Sequence, residues 1–133
     1  MIEKKETTQM RVPDLELKDS VLDPDSTVRV AQVRNPKGPK PVYRVFLYLD
    51  GLRLYNVKAV TYVLHPTFKE PTRQVYRSAE NPRCKLEIWT WGLFGVQAIV
   101  SDRDGDMITL SHYLQYNKEF SAKDIEFKEF KAA

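Results

Sequence analysis

Sulfur and imidazole are scarce in this chain. It carries one cysteine, Cys84, and two histidines, His65 and His112. A single cysteine excludes an internal disulfide and fits a reducing compartment, so a cytoplasmic location is the expectation. Zinc asks for Cys and His clustered at short spacing, which three residues this far apart do not supply. No apolar run approaches the length of a membrane span. The opening stretch, MIEKKETTQM, has charges but no apolar segment behind them, so no secretory signal is read there. An excess of one charge is missing too. With 21 basic and 18 acidic residues the net charge is +3, and the basic residues are scattered, which argues against nucleic acid as a partner. Neither a membrane nor a cofactor is expected.

What the chain does have is a succession of short apolar and β-branched runs. Its 133 residues, 42% of them hydrophobic, suffice for one domain with a real core. Residues 1–26 are polar and read as an arm, with RVPDLEL a candidate edge strand. STVRVAQVRN reads as a strand, and NPKGPKP is a turn-rich loop. VYRVFLYLDG is a strand closed by Asp50-Gly51. The next runs from Val57 to His65 and stops at Pro66. Thr72 to Arg77 is short and polar, as an edge strand would be. CKLEIWTWG places Leu86 and Ile88 on one face and Trp89 and Trp91 on the other. LFGVQAIVSD follows, then DRDGD as a hairpin turn, then MITLSHYLQY with Ile108, Leu110 and Leu114 on one face. The tail, residues 121–133, fits either a strand through IEFKEF or a short helix. The main body, residues 27–120, therefore reads as all-β: an immunoglobulin-like β-sandwich of about seven to eight antiparallel strands, with a small barrel as the competing architecture.

Catalytic chemistry finds little footing. DRDGD resembles the start of a calcium loop, but the twelfth position, which needs a bidentate Glu, is Tyr113. Cys84 has none of the local signatures of a catalytic thiol. Ser111 and His112 are neighbours on a strand and point to opposite faces. There is no nucleophile elbow and no phosphate loop. A non-enzymatic role is the expectation.

The aromatics carry more. Leu86 and Ile88 already give their strand an apolar face, so Trp89 and Trp91 lie on the other face or near the strand end. His65 stands where a strand breaks into a loop, and its plain reading is a ring that caps that loop by hydrogen bonding. Phe68 alone reads as a plug for the end of the core. Together, His65, Thr67, Phe68 and Trp91 fall on loops or strand ends where two aromatic planes can form a slot for a flat group or a cation.

Val57, Val60, Tyr62, Leu64, His65, Pro66, Phe68, Pro71 and Arg73, followed by Trp89, Trp91, Gly92 and Phe94, make a two-block pattern that resembles a YEATS domain. The likeness spans roughly Val42 to Tyr116. It implies an immunoglobulin fold and, as in chromatin readers, an acylated lysine held between two aromatic side chains. By motif position His65, Thr67 and Phe68 match the histidine, hydroxyl and first aromatic. Trp91 matches the second aromatic, and Gly92 the small residue whose amide helps hold the ligand. Acylation removes the lysine charge and leaves a flat amide suited to such a slot. Two features depart from the chromatin readers. Arg77, Ser78, Ala79 and Glu80 replace an apolar pair between the blocks, and His112 stands where an acidic residue would seat a basic tail. The polar arm and WTWGLF look more like the bacterial branch, whose members are similar to interaction modules in signalling or defence. The resemblance therefore implies an acylated peptide or protein as partner. The alternative is a protein-interaction or structural sandwich with no acyl-lysine pocket, making contacts by strand addition.

Overall fold

A computed structural model describes residues 14–131. Two sheets face each other. The strands are β1 (Glu16–Ser20), β2 (Val30–Arg34), β3 (Val42–Asp50), β4 (Val57–Val63), β5 (Thr72–Tyr76), β6 (Leu86–Thr90), β7 (Gly95–Asp102), β8 (Met107–Tyr113) and β9 (Glu126–Glu129). Short 3-10 turns at Leu54–Asn56 and Tyr116–Ser121 complete the elements. In one sheet β3 is central. It pairs with β6 on one side, and with β1 and then β2 along the other. The second sheet runs β5-β4-β7-β8.

Alternation explains which residues meet between the sheets. Val45, Leu47 and Leu49 of β3 point inward with Ile88 of β6 and Leu17 of β1. Val60 and Tyr62 of β4, with Val96, Ala98 and Val100 of β7, face them, and all are buried. Each large side chain so buried contributes roughly 1.5–3 kcal/mol of transfer free energy. The Tyr62 phenol is sealed inside and donates to the Cys84 carbonyl at 2.6 Å. Cys84 is itself buried, with φ of 51°, and this kink explains why β6 begins at Leu86 rather than at the cysteine. The Asp50-Gly51 strand end is enforced by packing. Gly51 has φ of 131°, and a Cβ there would lie 2.4 Å from the Asp14 carbonyl oxygen.

The two sheets confirm the immunoglobulin-like sandwich and report some differences of detail. There are nine strands among the described residues. The tail takes the strand alternative: β9 lies beside β2 in parallel register, Ala31 opposite Phe127, so this one pair departs from the antiparallel expectation. Ile125 is buried, and Phe127 meets Tyr43 edge-on at 6.4 Å. That period-two spacing suits a strand docking on the open edge of β2. Within STVRVAQVRN only Val30–Arg34 is strand. Before it, Asp23 and Ser26 turn the backbone with their own side chains, bonding the Asp25 and Val28 amides, which competes with the ladder. RVPDLEL continues into β1 at the sheet edge, with Arg11 to Pro13 outside the described residues. DRDGD is a hairpin turn: the Asp102 carboxylate accepts from the Asp104 and Asp106 amides, and Gly105 sits at φ of 89°. Among the described residues, no helix is long and apolar enough to cross a membrane.

Candidate functional site

Register brings three loops to one end of the sandwich. Val63 at the end of β4 pairs with Gln97 near the start of β7. Tyr43 at the start of β3 pairs with Thr90 at the end of β6. The loops 35–41, 64–71 and 91–94 therefore share this end.

The 64–71 loop is a turn written by its own sequence. The Leu64 amide donates to the Pro71 carbonyl at 2.7 Å and closes the base. The Phe68 amide donates to the His65 carbonyl at 3.0 Å, making a four-residue turn with Pro66 second, where its fixed φ is favoured. His65 then orders the turn from its first position. Its Nδ1 accepts the Thr67 amide at 3.2 Å and lies 2.8 Å from the Thr67 hydroxyl. A backbone N–H can only donate, so Nδ1 bears a lone pair and the ring proton sits on Nε2. The Thr67 hydroxyl lies beside the same nitrogen, and its oxygen has lone pairs that can accept. His65 and Thr67 are exposed, and Phe68 is half-buried. The Phe68 and His65 rings both rest on Phe94, with centroids at 5.4 and 5.9 Å. The buried Phe94 is thus the shared floor of the loop.

The 91–94 loop supplies the other aromatic. Trp91 lies beyond the end of β6 and is 60% exposed. Its indole packs on no other aromatic ring among the described residues; instead the Lys40 ammonium lies 4.7 Å from its ring centroid. Trp89 goes elsewhere. It is half-buried on the outer face of its sheet, under the Arg34 guanidinium at 3.9 Å and beside Phe130 at 5.3 Å. The Gly92 backbone is braced by the segment after β8. The Tyr116 phenol donates to the Gly92 carbonyl at 2.8 Å, and the Leu114 amide to the Phe94 carbonyl at 3.1 Å. Burial pushes the Tyr116 phenol up to about 12, with Tyr43 and Asp19 adding to the effect, so it remains a donor at neutral pH. The Gly92 amide has only a long 3.4 Å contact with the Thr90 hydroxyl. A Cβ on Gly92 would meet nothing within 4 Å. No local packing demands a glycine there; the space above it is open.

The expected residues therefore gather at one end, but Phe68 and Trp91 come from different loops and their rings are not packed on each other. An open depression of about 580 Å³ lies beside the start of the 64–71 loop. It borders His65 and Pro66 and runs over Gly95, Gln97, Ser111 and Tyr113, and neither Phe68 nor Trp91 lines it. The other histidine, His112, also borders this depression, and its Nε2 lies 2.6 Å from the buried Asp19 carboxylate, tying β8 to β1. Cys84 is buried, and its thiol is pushed up to about 11 by burial, with Arg77 pulling the other way. No group of three or more His, Cys, Asp or Glu suited to a metal ion occurs among the described residues. Sequence reading missed the contributions of Lys40 and Tyr116. Nothing in NPKGPKP marks Lys40, because only the β3–β6 pairing carries it to Trp91. Tyr116 is visible as an apolar residue but not as a brace.

Fold and loop geometry define an immunoglobulin-like sandwich whose one end presents hydrogen-bonded loops with two separated aromatic side chains. Residues 43–115 match the prokaryotic YEATS domain, and the chain belongs to that family. It is 38% identical over 72 residues to transcription initiation factor TFIID subunit 14 of Schizosaccharomyces pombe, a match covering 53% of this chain and 28% of that protein. The chain thus spans under a third of the length of this curated relative. Among solved structures, the Yaf9 YEATS domain recognizing an H3K122suc peptide is similar, with a TM-score of 0.53 and 16% identity over 83% of this chain and 80% of that one. Yaf9, the yeast AF-9 homolog, gives 0.49 at 15% identity over 80% of this chain and 72% of the other. At such identity the likeness to Yaf9 is one of fold.

Proposed function

We propose that this domain is a non-enzymatic recognition module that takes an acylated lysine, or a similar flat acyl amide, between Phe68 and Trp91, and that it serves prokaryotic signalling or defence in the cytoplasm. The observation that carries the reading is the hydrogen-bond state of the two loops. The Thr67 hydroxyl is exposed at the turn and its oxygen has lone pairs that can accept, which suits the N–H of an acyl amide. The Gly92 amide has only its long contact with Thr90 and open space above it, which suits the acyl oxygen. Two complementary groups on opposite loops match the two polar atoms of one amide, and the flanking rings match its flat faces. An unmodified lysine would bring a hydrated ammonium and three donors instead, and would leave the Gly92 amide without an acceptor. The depression over Gly95 and Gln97 offers a path for the peptide on either side of the modified residue. That YEATS domains are solved with acylated histone peptides, as Yaf9 is, supports the class of ligand.

Titrating acylated and unmodified lysine peptides while following tryptophan fluorescence tests this. The acylated peptide is expected to perturb the signal and the unmodified one not. Phe68→Ala and Trp91→Ala are each expected to abolish the response, and binding that survives both substitutions rules the slot out.

A second reading rests on β5. Among the described residues it pairs only with β4, which leaves its other edge open, and its residues alternate exposed and half-buried. An extended segment of a partner protein could add to that edge. Insertion of proline at Gln74 would then abolish partner capture while leaving the peptide titration intact.

A further inference from the structure

The four-stranded sheet ends at β8, and its margin there is unprotected. The other marginal strands carry charge: Glu16, Lys18 and Asp19 on β1, Arg73 on β5, Glu87 on β6, and Glu126, Lys128 and Glu129 on β9. Such charges, together with prolines and bulges, keep a free edge from pairing with another chain. The β8 sequence, MITLSHY, has no lysine, arginine, carboxylate or proline. Its register on β7 runs unbroken from Gly95–Tyr113 to Ser101–Met107, so it has no bulge either. Part of this margin is closed. The Asp19 carboxylate holds His112 at 2.6 Å and accepts the Gln115 amide at 3.0 Å, so β1 covers the edge from His112 onward. Met107 to Ser111 have no such cover among the described residues. Ile108 shows the consequence. It lies opposite the fully buried Val100 and so faces inward, yet it is 44% exposed. The sandwich is open along this stretch, with an inward-facing apolar side chain uncovered.

The direction of the free backbone groups is fixed as well. The Leu114 amide donates to the Phe94 carbonyl, and bonded pairs recur at every second residue of an antiparallel ladder. Ile108, Leu110 and His112 thus turn their N–H and C=O groups toward β7, and those of Met107, Thr109 and Ser111 face outward. These three are symmetric about Thr109. We propose that a second copy of this chain docks on this edge, β8 against β8 in antiparallel register, with Thr109 opposite Thr109. Met107 of each copy then lies opposite Ser111 of the other. Each of these pairs exchanges two hydrogen bonds, so every outward group of the open stretch finds a partner. Two threonines meet at the two-fold axis, a favourable cross-strand pair, and no like charges are brought together. Ile108 of one copy gains Leu110 of the other as an apolar neighbour, and the two four-stranded sheets become one continuous sheet. The symmetry about Thr109 and the lack of charge favour the chain itself over a foreign segment as occupant.

Sedimentation velocity on the full chain, from roughly 10 μM to 1 mM, tests this over the range suited to a short, transient interface. The wild type is expected to shift from monomer toward dimer as concentration rises. Three variants act at the axis. Thr109→Pro removes an N–H that faces away from β7, so the ladder within each copy is kept. Two hydrogen bonds are lost per dimer, and association should weaken about tenfold or more. Thr109→Lys and Thr109→Glu each set like charges opposite one another and should weaken association by up to about fivefold. An equimolar mixture of the two should associate at least as tightly as the wild type, because unlike charges then meet. A wild-type chain that stays monomeric throughout overturns the proposal. So does association undiminished in Thr109→Pro, which places the contact on another surface, or a Lys and Glu mixture no tighter than either variant alone. Circular dichroism checks that each variant is folded; if Thr109→Pro is not, the mixture decides.

Discussion

Tyr62 and Tyr116 each donate one hydrogen bond to a backbone carbonyl, and removing each hydroxyl should have a different consequence. Tyr62→Phe strands the Cys84 carbonyl, which sits in a fully buried residue with φ of 51°. Water has no route to that oxygen, so the loss should approach the cost of an unsatisfied buried acceptor, about 1–3 kcal/mol. Tyr116→Phe releases the Gly92 carbonyl, but Gly92 is half-exposed. Water can replace the phenol there, and about 0.5–1.5 kcal/mol is expected, the net worth of an ordinary hydrogen bond. Function should follow the opposite order. Tyr116 braces the loop that carries Trp91, whereas Tyr62 lies in the core. Urea denaturation of the two variants, with the acyl-peptide titration run on each, makes the comparison. Tyr62→Phe should show the lower midpoint with near wild-type affinity below the transition. Tyr116→Phe should show the smaller stability loss with affinity weakened several-fold. A Tyr116→Phe protein that binds as the wild type does would refute the bracing argument, and a reversed stability order would refute the burial argument.

Other consequences follow from the same geometry. Phe94 supports both His65 and Phe68, so Phe94→Ala should cost about 3–5 kcal/mol in chemical denaturation and disorder the 64–71 loop as well. A cost under about 1 kcal/mol would contradict its place as floor. Cys84 is fully buried and its thiol is raised to about 11, so a thiol reagent at about pH 8 should label it only after unfolding; rapid labelling of the native protein would contradict this. Alkaline stability has a definite sign. Tyr116 titrates at about 12 in the folded chain against about 10 when unfolded. The folded state thus holds the proton more tightly, and the contribution is complete below about pH 10 and is lost as pH rises toward 12. Cys84, raised likewise, adds in the same direction. A midpoint that stays constant or increases over that interval would reverse the assignment.

The strands were legible because each writes its burial directly into alternation. In VYRVFLYLDG, Val45, Leu47 and Leu49 announce the inner face. In GVQAIVSD, Val96, Ala98 and Val100 do the same. The HPTF turn was legible for a different reason: Pro66 favours one turn position, and His65 can accept from within it. Where local side chains compete with the ladder, as at Asp23 and Ser26, strand propensity overstated the strand. The tail was ambiguous because Ile125, Phe127 and Phe130 satisfy both periods, and only the open edge of β2 decides between them. At the site, the motif gathered Phe68, Thr67, Trp91 and Gly92. It did not reveal that Phe94 supports the Phe68 ring, that Tyr116 braces the loop of Trp91, or that Lys40 stands on Trp91. Those contacts join residues far apart in sequence, and pairing register, which creates them, leaves no mark on the residues themselves.

The most direct measurement of the central claim is intermolecular NOE spectroscopy on the chain with a peptide whose lysine carries an isotope-labelled acyl group. The acyl protons should show cross-peaks to the ring protons of both Phe68 and Trp91, and the Thr67 and Gly92 amide resonances should shift together on binding. Cross-peaks confined to one ring, or to residues along the outer face of β7 and β8 with both rings silent, would contradict the two-walled slot.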